Sequence, residues 1–148
     1  MTCKDRSQKA GEMFSSGFSC AQSVFASFAA DLELDKTTTL KIASTFGGGV
    51  AKTASVCGAV TGALMVIGLK YGSKDIPDQI TKEHIYGKAH EFIKMFRKKH
   101  GSIICRELLG YDISTVSGKN MVNELNLSEK LCNGFVEDTV KFLEKIIG

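Results

Sequence analysis

The chain has 148 residues, 43% of them apolar and only one a proline, which is the size of one ordinary domain able to bury a core without disulfides. Its 19 basic and 16 acidic residues are interspersed, so the net charge of +3 gives no strongly basic face and argues against nucleic acid as a partner. The most apolar stretch, Val56 to Leu69, is broken by Thr61 and three glycines and followed at once by Lys70, too short to cross a bilayer.

In chain order, the first predicted helix runs from about Lys4 to Ser15 and stops at Ser16-Gly17. Its charged approach, Met1 to Lys9, lacks the apolar run of a secretory signal, so the expected location is the cytoplasm. Phe18, Ala21, Phe25, Phe28 and Leu32 recur at steps of three and four and define a second helix starting near Gly17 or Ser19, with Cys20 beside the stripe. Asp35 is a cap for a third helix through Leu40, Ile42, Ala43 and Phe46, ended by Gly47-Gly48-Gly49. A fourth is expected from Thr53 or Ser55 to about Leu69. Its small residues, Gly58 with Gly62 and Ala59 with Ala63, leave room for another backbone.

After a loop from Gly72 to Pro77, Thr81 is the expected cap of a longer helix with Ile85, Ala89, Phe92, Ile93 and Phe96 inward. Arg97-Lys98-Lys99-His100 suits the negative end of that helix, and Gly101 stops it. Ser102 opens a short helix carrying Cys105, Leu108 and Leu109. Tyr111 to Leu127 shows no clear period and reads as an extended piece or a long surface loop. Ser128 begins the last helix, with Leu131, Cys132, Phe135, Val136, Val140, Leu143 and Ile147 inward. The expected architecture over residues 1–148 is an all-α, single-domain bundle of six or seven helices.

Chemistry is expected from the five cysteines. Cytosolic thiols are normally kept reduced, so a secreted-type disulfide framework is not expected, and Cys3, near the terminus, is the natural odd one out. The ordered set Cys20, Cys57-Gly58-Ala59-Val60-Thr61-Gly62, Cys105 and Cys132 resembles the family of redox-active proteins labelled C_GCAxxG_C_C, although the label writes the first two letters of the central motif in the other order. The resemblance runs from about Phe14 to Leu143 and implies thiol redox chemistry by those four cysteines, without a substrate.

Cys57 is the expected reactive thiolate, because a helix starting at Thr53 or Ser55 puts it in or just beyond the first turn, where unpaired N–H groups and the dipole favour negative charge. Cys105, Cys132 or Cys20 is then the resolving partner, toward a redox protein or a small-molecule substrate. Backbone groups of Gly47, Gly48, Gly49 and Gly58 are the candidate contacts to a bound group. No cofactor is predicted. One alternative is a zinc ion or iron–sulfur cluster on Cys20, Cys57, Cys105 and Cys132, although the chain has no Cys-x-x-Cys pair. Another is a non-catalytic binding or assembly module, with the glycine triplet and the small-residue helix serving close packing or a homodimer contact. The chain lacks a P-loop and a Gly-x-Ser-x-Gly elbow.

Overall fold

The computed structural model describes residues 2–147. Eight α-helices are present among them: α1 Cys3–Ser15, α2 Cys20–Ala29, α3 Lys36–Ile42, α4 Gly58–Tyr71, α5 Gln79–His100, α6 Cys105–Leu109, α7 Val116–Glu124 and α8 Asn133–Ile147. The fold is all-α; the one β feature among the described residues is an isolated antiparallel bridge between Val56 and Ile104. No helix among these residues is long and apolar enough to cross a membrane.

Local capping explains most of the boundaries. Thr2 with Asp5 and Ser19 with Gln22 form reciprocal capping boxes at α1 and α2. Asp35 caps α3 through the Thr38 amide, and Asp78 rather than Thr81 caps α5, accepting from the Thr81 amide. α7 lies in the stretch where no helix was expected. Thr115 caps it, and only Gly118 and Val122 are buried along it, so it carries no apolar stripe for periodicity to detect.

The core lies between α2, α4, α5 and α8, where Val24, Val60, Val66, Ile67, Phe92 and Phe96 are almost fully buried. The small-residue face of α4 is occupied by α2 of the same chain: a Cβ at Gly62 would stand 2.9 Å from the Ala21 carbonyl oxygen. Arg6 clamps the outer layer, its guanidinium reaching Asp31 at 2.5 Å, Glu144 at 2.6 Å and the Ser27 carbonyl at 2.6 Å. At the end of α5, Lys99 remains exposed, but His100 does not. Its ring packs between Phe96 and Phe135, and its Nε2 lies 3.0 Å from Asp138.

Candidate functional site: a four-cysteine cavity

The chain between α3 and α4 departs furthest from expectation. Gly48, Gly49, Val50, Ala51 and Lys52 take φ of 64°, 73°, 65°, 52° and 59°, and Ala54 takes 59°. Five successive residues thus wind left-handed, a conformation that L side chains resist at roughly 1–2 kcal/mol each. The winding is held from both ends: Lys52 N donates to the Gly47 carbonyl at 3.0 Å, Ser55 N to that of Gly49 at 2.8 Å, and Arg106 Nη1 to that of Ala54 at 3.2 Å. A right-handed helix cannot begin inside such a segment. The fourth helix therefore starts at Gly58, not at Thr53 or Ser55, and Cys57 is its N-cap residue.

Immediately after this turn the chain pairs with the segment before α6. Cys57 N donates to Ile103 O at 2.8 Å, and Cys105 N to Ser55 O at 2.6 Å. Side chains alternate along extended backbone, so Cys57 and Cys105 project to the side opposite Val56 and Ile104. Cys20 is the first residue of α2, and Cys132 closes a single turn of π-helix, Ser128–Cys132, that leads into α8. π-turns of this kind recur at functional sites. Three of the sulfurs thus come from the starts of helices and the fourth from the turn that leads into α8. They line one cavity of about 120 Å³, walled otherwise largely by apolar side chains including Phe14, Leu108, Ile113 and Phe135.

Glycines let the walls approach. A Cβ at Gly49 would lie 2.7 Å from Cys105 Cβ and 2.6 Å from Ser55 N, and one at Gly58 would lie 3.1 Å from Cys20 Cβ. Of the glycines expected at a bound group, Gly48, Gly49 and Gly58 line the cavity, whereas Gly47 packs on Ser19 outside it.

The sulfurs are not equivalent. Burial pushes the Cys57 thiol up to about 12, a rise the nearby Ala59 and Val60 amides only partly offset. The helix start that was expected to activate Cys57 is therefore outweighed by desolvation. Burial, together with the neighbouring Cys132 and Asp112, raises Cys105 to about 11. Cys20 and Cys132 are half-buried and line the same cavity. Hydrogen bonding with Cys132 first, then burial, drives Cys20 well up, while the bond from Cys20 holds Cys132 below the usual thiol range. All five cysteines are free thiols, and Cys3 is exposed at the head of α1 and does not line the cavity.

No group of three or more His, Cys, Asp or Glu among the described residues is arranged to hold a metal ion. Sequence reasoning missed Ser128 and Ile113 as lining residues, because they lie next to and within a segment without a period and only the tertiary fold turns them toward the sulfurs.

No curated protein and no solved structure matches the chain. A family model does, over residues 18–146, and its description is "Putative redox-active protein (C_GCAxxG_C_C)". That span includes all four cavity cysteines and excludes Cys3, so the chain belongs to the C_GCAxxG_C_C family.

Proposed function

We propose that the protein is a thiol–disulfide redox protein whose working couple is Cys132 and Cys20. The observation that carries this reading is the convergence of four cysteines from four separate segments on one small cavity, in which Cys20 and Cys132 are the two less buried. Cys132, whose thiolate is favoured by the bond from Cys20, is the nucleophile in place of Cys57. It attacks one sulfur of a disulfide RS–SR, forming a mixed disulfide and expelling RS⁻, which takes up a proton. The Cys20 sulfur then attacks Cys132, displacing the second RS⁻, which receives the proton lost by Cys20. The substrate is reduced by two electrons to two thiols and the protein is left with a Cys20–Cys132 disulfide, which an external dithiol reduces again. Cys57 and Cys105 stay thiols and close the cavity against water.

Mapping of disulfide-linked peptides tests this. Fully reduced protein treated with one equivalent of 2-hydroxyethyl disulfide and acid-quenched is expected to yield the Cys20–Cys132 link first. A first link to Cys57 or Cys105, or no intramolecular link, overturns the assignment.

A further inference from the structure

A second groove backs onto the cysteine cavity. It has a volume of about 250 Å³ and shares Gly48, Ile113 and Ser128 with the inner cavity, so the two meet along a common wall. The inner cavity is lined by no charged residue. The outer groove is lined by Lys52 and Lys119 and by no carboxylate.

Lys52 belongs to the left-handed segment, with φ 59°, and its stem lies across Gly48: a Cβ there would be 2.8 Å from Lys52 Cγ. The costly winding thus sets a cation beside the glycine that both cavities share. Such strain persists where surrounding structure enforces it, and it concentrates at ligand-binding positions. Lys119 reaches the same groove from α7. The ion pairs among the described residues involve neither lysine, so both charges are available to a ligand.

Building on the redox reading above, we infer that the substrate is a low-molecular-weight disulfide carrying an anionic group close to its sulfur, the sulfur entering the inner cavity and the anion resting on Lys52 and Lys119. The largely apolar inner chamber is too small for more than a few atoms and has no charged side chain with which to accept an anion. In the mixed disulfide on Cys132, the attached R group would extend past Ser128 into the outer groove.

The test is a matched series of short aliphatic disulfides: dithiodiglycolate (anionic), 2-hydroxyethyl disulfide (neutral) and cystamine (cationic). Rates of oxidation of the reduced full-length protein are divided by each compound's rate with 2-mercaptoethanol, which removes intrinsic reactivity. The normalised order expected is anionic, neutral, cationic. Lys52→Gln and Lys119→Gln are each expected to cut the anionic-to-neutral ratio about two- to fivefold, as for solvent-accessible ion pairs, and added salt to shrink it in wild type. Lys98→Gln, on α5 and outside both cavities, is expected to leave the ratio unchanged. An anionic compound no faster than the neutral one, or a preference that survives the Lys52→Gln/Lys119→Gln double substitution, overturns the inference while leaving the Cys20–Cys132 couple intact. If no disulfide oxidises that couple, the redox reading falls and this inference with it.

Discussion

The cavity holds two pairs of cysteines that differ in everything but residue type. Cys57 and Cys105 flank the short bridge, are 5% and 8% exposed, and are pushed by burial to about 12 and about 11. Cys20 and Cys132 stand at the mouths of α2 and α8, are more accessible, and divide their interaction so that one sulfur is favoured as thiolate at the other's expense. Bringing a thiol into a site is therefore not the same as activating it. A helix start stabilises a thiolate by an amount that desolvation easily exceeds, whereas a neighbouring thiol that donates to it favours the charge even in an apolar cavity.

The sharpest way to break this contrast is to remove one sulfur from each pair. Cys132→Ser is expected to slow oxidation by 2-hydroxyethyl disulfide by on the order of 100-fold or more, since the bond-forming atom is gone, while Cys57→Ser stays within about threefold. Thiol release followed in real time measures both, and a reversal of the two would reinstate Cys57 as nucleophile.

Backbone geometry should matter nearly as much. Gly49→Ala puts a Cβ 2.6 Å from Ser55 N at a φ of 73°, with Cys105 Cβ 2.7 Å away, so it is expected to destabilise the fold by about 2–4 kcal/mol in urea titration. Gly58→Ala meets Cys20 Cβ at 3.1 Å and should cost less, about 1–3 kcal/mol, while disturbing the Cys20–Cys132 couple directly. Equal effects would show that the left-handed turn is less constrained than its hydrogen bonds indicate.

The buried pair should also leave a signature in alkali. Their folded-state values, about 12 and about 11, exceed the ordinary thiol value of 9.0, so the native state binds these protons more tightly than the unfolded chain. Their contribution is fully present below pH 9.0 and is lost as the pH rises through about 11 and about 12. Melting temperature should accordingly fall across that window, and less steeply in Cys57→Ala/Cys105→Ala. Identical slopes would contradict the burial argument. The smallest effect is expected from Thr115→Ala, which removes the α7 cap at 3.0 Å from Gly118 N and should cost about 1 kcal/mol in thermal unfolding.

Much of this molecule was legible before its structure, because the relevant physics is local. Ser19 and Asp35 cap the helices they precede, and Gly101 and Gly110 end theirs in left-handed conformation. The apolar stripe of α2 packs inward at the expected steps, and the small residues of α4 do receive another helix. Where local signals were weak, reading failed. α7 has a cap but almost no buried face, and without a period the Thr115 cap alone does not mark a helix.

By itself the sequence determined an all-α chain and the family to which its ordered cysteines belong, since capping, periodicity and motif are written in near neighbours. Only the tertiary structure decided the handedness of residues 48–52, because left-handed winding of Val50, Ala51 and Lys52 runs against their intrinsic preference and depends on bonds to Gly47 and Arg106 and on the pairing with Ile103 and Cys105. It alone decided which sulfurs meet and which are desolvated. Those are properties of distance and dielectric between segments more than a hundred residues apart, and no local pattern encodes them.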